Sequence, residues 1–202
     1  MPELCPQSME PKNLPPLEMD TTGFETKLST SQRQRFAEER PAFVRLVRQV
    51  IQELDLQDHI DHLTVLLPSH DRGRAELFRR KDNPWPSKRL HLEIYADRYM
   101  DEQLLRHEFG HEADRRNPDM HYDPAIERRW GDRPVFNLAA NISLDARLDE
   151  RGLGREFRKA EFVQVMGMYL LDVFRRAWES PPRTWPEIEE LARELAELRG
   201  ED

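Results

Sequence analysis

"LLRHEFGHEA", residues 104–113, sets His107 and His111 four positions apart, with Glu108 directly after the first histidine and Gly110 directly before the second. On a helix this spacing puts both imidazoles one turn apart on one face, within reach of a single metal ion. Glu108 then sits beside that face, where its carboxylate can take a proton without ligating the metal. Gly110 costs a helix about 1 kcal/mol relative to alanine, so its presence predicts the close approach of another chain segment. The opposing reading is a polar helix face that carries two histidines by chance. In a chain with seven histidines and 39 acidic residues, the surroundings of the stretch have to decide.

Working backwards, three short segments read as strands: "LTVLLP" (63–68), "AELFRR" (75–80) and "LHLEIYA" (90–96), separated by the turn-rich "SHDRG" and "DNPWPS". In the last, Leu90, Leu92, Ile94 and Ala96 alternate with His91, Glu93 and Tyr95, which predicts one core face and one polar face. Before them, Phe43, Leu46, Val47, Val50, Ile51 and Leu54 repeat at helical spacing after Pro41, predicting a helix from Pro41 to about residue 55. Residues 1–30 are rich in Pro, Ser, Thr and Met without periodicity and read as a flexible leader, with one domain over 31–202.

Working forwards, Asp97 or Asp101 can cap the helix that carries the stretch, and Pro118 requires it to stop. Asp132 and Pro134 open a helix over "VFNLAANISLDARLDERG", and a long apolar helix is expected at about 156–178. After "SPP", Thr184 and Glu187 have the spacing of a capping box for a final helix packed through Ile188, Leu191, Leu195 and Leu198. The expected fold class is α+β: a small mixed sheet on the helix that carries the two histidines, then a mostly helical C-terminal half.

Composition narrows the function classes. The chain of 202 residues is 38% hydrophobic and 35% charged, enough for one real core. A net charge of −8 argues against general nucleic-acid binding. The longest apolar-leaning run, "FVQVMGMYLLDVF" at 162–174, is too short and too polar for a membrane span. With no secretory signal pattern and one cysteine, a cytoplasmic location is expected. Against the acidic background, residues 71–91 hold seven Arg or Lys and three acids (Asp71, Glu76, Asp82), a local basic excess.

A catalytic zinc site needs a third protein ligand and an open position. Asp145 in "NISLDARLDERG" is the candidate, with Asp149 one turn later. Asn141, one turn earlier on the same helix, is placed to orient the Asp145 carboxylate. Against this stands the reading of Asp145 and Asp149 as exposed ion-pair partners of Arg147 and Arg151. His121 is the rival third ligand. Tyr122, His121, Arg147 and Tyr169 are candidate oxyanion donors. "DHIDH" (58–62) reads as surface loop, and His70 and His91 as structural or solvent-facing.

The HExxH pattern, with a helix and small sheet before it and a carboxylate pair on the following helix, resembles the zincin metallopeptidases, in particular the minimal gluzincin-like group. The resemblance covers about residues 40–155. It implies Zn²⁺ on His107, His111 and Asp145, Glu108 as general base, and a peptide or protein substrate added to the sheet edge. In that group the third ligand belongs to an ExxxD pattern, whose two places fall on Asp145 and Asp149; aspartate in the first place is a departure. The basic "AELFRRK" segment as that edge would favour acidic substrates, or would simply be a solvated face. Cys5 would block the zinc of a latent form, or would be a free thiol in a tail. Two non-peptidase readings compete with the enzyme: a zincin-like binding or regulatory module, and a metal sensor.

Overall fold

The computed structural model describes residues 17–68, 76–78, 87–131, 133–154 and 170–200. Its order is β1 (Glu18–Asp20), α1 (Thr22–Glu25), α2 (Thr30–Glu53), β2 (His62–Leu66), β3 (Glu76–Phe78), β4 (Arg89–Glu93), α3 (Glu102–Arg116), a 3-10 turn (Pro118–Met120), α4 (Pro124–Trp130), α5 (Pro134–Glu150), α6 (Leu171–Glu179) and α7 (Trp185–Arg199). The fold is mixed α and β and mostly helical. The four strands lie in the order β1-β2-β4-β3, the first three parallel and β3 antiparallel to β4, so that β3 forms one edge. No helix among the described residues is long and apolar enough to cross a membrane.

The alternation read in the sequence is seen in the sheet. Leu63 and Val65 of β2 and Leu90 and Leu92 of β4 are buried, with their neighbours partly open. These residues join Phe43, Val47, Val50 and Ile51 of α2 and Leu104, Leu105 and Phe109 of α3 in one core. Asp101 caps α3, accepting from the Leu104 N–H at 3.0 Å, and the helix ends at Asn117, the residue before Pro118.

Part of the stretch 1–30, read as a flexible leader, is folded. Residues 18–20 pair with β2, the Glu18 N–H donates to the Asp61 carbonyl, and Phe24 and Leu28 are buried in the core. A three-residue parallel strand is too short to display a period, so nothing local announced it. Residues 1–16, including Cys5, lie outside the described residues. Helix α2 also begins earlier than Pro41: Ser29 and Gln32 make a reciprocal capping box, and Pro41 lies inside the helix on its exposed side. The carbonyl of Ala37 that Pro41 leaves without a helical donor is on an exposed residue, while Phe36 and Phe43 on either side are buried.

The helical half has its own core, built from Ile126, Trp130, Phe136, Ile142, Phe174, Trp185, Ile188, Leu195 and neighbours. Thr184 and Glu187 form the expected capping box, whereas Leu198 is half exposed and does not pack as expected. Of the long helix expected at 156–178, α6 is the described part; Asp132 and residues 155–169 are outside it. Helix α5 joins the two cores. Its Leu144 and Leu148 face the first and its Val135, Phe136, Ala139 and Ile142 the second.

Candidate metal centre

The stretch 104–113 lies in α3, where α3 meets α5. His107 and His111 point at the same space: their Nε2 atoms are 3.3 Å apart and their rings are nearly perpendicular, at 87°. Two ligands on one tetrahedral zinc ion, each at about 2.0–2.1 Å, lie about 3.3–3.4 Å apart, so the two nitrogens have the span that a shared ion needs.

Helix α5 supplies the partners in reverse order. Asp145 Oδ1 lies 2.7 Å from His107 Nδ1, and Asn141 Oδ1 lies 3.0 Å from His111 Nε2. Residues 141 and 145 are one turn apart, as are 107 and 111, and the pairing 107 with 145 and 111 with 141 makes the helices antiparallel across the site. A carboxylate oxygen only accepts, so His107 Nδ1 carries the hydrogen and its Nε2 presents a lone pair to the convergence. Burial, and then the neighbouring His107, hold the His111 imidazole well below the ordinary histidine pKa. The neutral ring is the form that binds metal.

Gly110 explains how α5 comes so near. A Cβ there would lie 2.8 Å from Leu144 Cδ1. The close approach expected from the sequence is therefore a buried leucine of α5, located between Asn141 and Asp145 in the chain.

Glu108 is half-buried, and its Oε2 accepts the Leu77 N–H of β3 at 3.2 Å. That N–H points away from β4, because it is spent on Glu108 and not on the ladder. The general-base candidate thus stands between the histidines and the sheet edge, an arrangement that depends on a backbone group and has no sequence signature.

The other candidates are placed elsewhere. Asp149 is exposed at the end of α5, its backbone against Gly154, and does not join Asp145 at the histidines. His121 is exposed and in the left-handed region, φ 51°, at the end of the 3-10 turn. The Tyr122 hydroxyl donates to Glu127 at 2.7 Å, and Glu127 also holds Arg115. Arg147 is bound to Asp114 and to the Pro182 carbonyl. Each of these oxyanion candidates except His121 is already engaged, and Tyr169 is outside the described residues. His62 of "DHIDH" contacts Thr64 and Glu18, a structural role.

Asp145, expected as the third ligand, is buried with its Oδ1 on His107 Nδ1, the ring nitrogen opposite the one that approaches His111, while Asn141 Oδ1 contacts His111 Nε2. Among the described residues no group of three or more His, Cys, Asp and Glu is placed to hold a metal ion. Comparisons of the chain with protein-family models, with curated proteins and with solved structures find no match.

Proposed function

We propose that the protein is a zinc-dependent peptide hydrolase of zincin type, with His107 and His111 as ligands and Glu108 as general base. The observation that carries this reading is the 3.3 Å approach of two imidazole nitrogens, one of them with its far nitrogen hydrogen-bonded to a buried carboxylate. A helix needs no such arrangement for its stability, and it is the arrangement that fixes a histidine's tautomer for metal binding.

His107 and His111 would hold a zinc ion, which when bound would supply Lewis-acid activation of a water molecule and of a scissile carbonyl. The chain's own residues supply the rest. Glu108, adjacent to His107 and fixed by the Leu77 N–H, accepts a proton from the attacking water and returns it to the leaving amine. Asp145 fixes the His107 ring, so that its Nε2 lone pair stays aimed at the ion. An extended substrate would lie beside Glu108 near β3, a sheet edge whose outward Leu77 N–H is held by that carboxylate.

The test combines zinc analysis with cleavage of casein and a peptide library. Stoichiometric zinc that is lost in the His107→Ala/His111→Ala protein is expected. Glu108→Gln should keep zinc and lose about 10²–10⁴-fold in turnover. Turnover by Glu108→Gln equal to the parent's would remove Glu108 from this role. A chain that holds zinc through both histidines and cleaves nothing would instead be a non-catalytic metal module or sensor.

A further inference from the structure

We infer that the third protein donor of this centre is the amide oxygen of Asn141, and that Asp145 is a positioning residue for His107, so that no anionic side chain among the described residues ligates the ion. The inference rests on the metal-site reading above and concerns which atoms complete it.

The two nitrogens of an imidazole point away from each other across the ring. A carboxylate engaged at Nδ1 of His107, 2.7 Å away, therefore lies behind the ring from the space where the two Nε2 atoms meet. Asp145 is 7% exposed and its short side chain has Oδ1 committed there. Asn141 is one turn earlier on the same face of α5, and its Oδ1 is 3.0 Å from His111 Nε2, the nitrogen that approaches His107 Nε2. It is only half-buried, as a donor to a centre that must admit a substrate would be. A primary-amide oxygen is a hard neutral donor that a divalent ion accepts alongside imidazoles.

The chemical consequence concerns charge. Two neutral imidazoles and an amide leave the ion's double positive charge uncompensated by its protein ligands. Zinc is then held less tightly than by two histidines and a carboxylate, and polarises what it binds more strongly. Anionic small ligands such as acetate or a hydroxamate should bind the loaded parent more tightly than a variant with a carboxylate at 141.

Three variants of the full chain test the assignment: Asn141→Ala, Asn141→Asp and Asp145→Asn. Zn²⁺ affinity is read by chelator competition, and the ligand set by the visible absorption of the Co²⁺-loaded protein. Asn141→Ala should weaken zinc by about 100-fold or more and change the Co²⁺ bands, since losing a ligand exceeds the 10–100-fold typical of an outer hydrogen-bond partner. Asn141→Asp, nearly isosteric and so a safeguard against misfolding, should tighten zinc and shift the bands. Asp145→Asn should weaken zinc by about 10-fold and leave the band positions unchanged. Parent-like affinity and bands in Asn141→Ala, unshifted bands in Asn141→Asp, or altered bands in Asp145→Asn would each overturn the assignment while leaving the histidine site standing. A parent chain that takes up neither Zn²⁺ nor Co²⁺ would instead remove the metal-site reading itself.

Discussion

Gly110 and Leu144 touch with no room to spare: a Cβ on residue 110 would stand 2.8 Å from Leu144 Cδ1 and 3.2 Å from Cδ2. Leu144 is itself 2% exposed and part of the first core. The contact therefore sets the separation of α3 and α5, and with it the distance from the histidines to Asn141 and Asp145.

Gly110→Ala should accordingly separate two effects. Alanine favours the helix by about 1 kcal/mol, while forcing a methyl into a filled core costs about 1–3 kcal/mol. The net change in stability should be a destabilisation of no more than about 2 kcal/mol. Zinc affinity should fall by about 10-fold or more, because Asn141 and Asp145 are moved together. Adding Leu144→Ala should restore affinity although it lowers the unfolding midpoint further. Chelator competition and denaturant unfolding on the same samples read both quantities. Unchanged affinity in Gly110→Ala would show that α5 is not positioned by this contact.

Arg147 predicts a different kind of loss. Its side chain is 11% exposed and pairs with Asp114, 14% exposed, while its other nitrogen reaches the Pro182 carbonyl before α7. Burial pushes the Asp114 carboxyl above its usual pKa in spite of the guanidinium. Arg147→Ala leaves that carboxyl without its partner and unties the α6–α7 connection, and should cost about 3–5 kcal/mol in urea unfolding. Combining Arg147→Met with Asp114→Asn should recover most of this, since no buried charge is then left over. If the double variant is no more stable than Arg147→Ala, the loss comes from the Pro182 contact alone.

What could be read ahead of the structure follows from range. Caps and periods act within a few residues, so Asp101, the Thr184–Glu187 box and the alternation of Leu90, Leu92 and Ile94 were legible. The pair His107 and His111 was legible for the same reason, as was the need for something close to Gly110. Which turn of α5 faces α3 is decided by Leu144 against Gly110, a contact 34 residues apart in the chain. A reading by motif alone cannot give the rotation of α5 that sends Asp145 Oδ1 to His107 Nδ1 and Asn141 Oδ1 to His111 Nε2. Pro41 misled because proline is commonest in a first turn; here the flanking Phe36 and Phe43 hold the helix through it. The Leu77 N–H on Glu108 is a backbone group, and no side-chain pattern encodes it.

The aromatic cluster at the start of the domain gives a prediction in alkali. Tyr99 lies among Phe24, Phe36 and Phe43, with ring centroids 5.9, 5.2 and 5.6 Å away, and its hydroxyl donates to Glu39. Burial first, then the hydrogen bond and charge of Glu39, push its pKa up from 10.0 to about 12. A group whose pKa is raised on folding stabilises the native state fully below its unfolded pKa, and that contribution is lost as pH rises through the folded one. The Tyr99 contribution should thus be intact up to pH 10 and disappear between pH 10 and about 12. Glu39, held below its usual pKa by the Tyr99 hydroxyl and then by Arg35, has the opposite sign: its contribution is present above 4.5 and fades as the pH falls below that. Ultraviolet titration of the four tyrosines should show one ionising last, and Tyr99→Phe should remove that late step together with its share of the alkaline loss in stability. Ionisation of all four tyrosines in one step, with an alkaline unfolding limb identical in Tyr99→Phe, would mean that the Tyr99–Glu39 bond does not hold the cluster in solution.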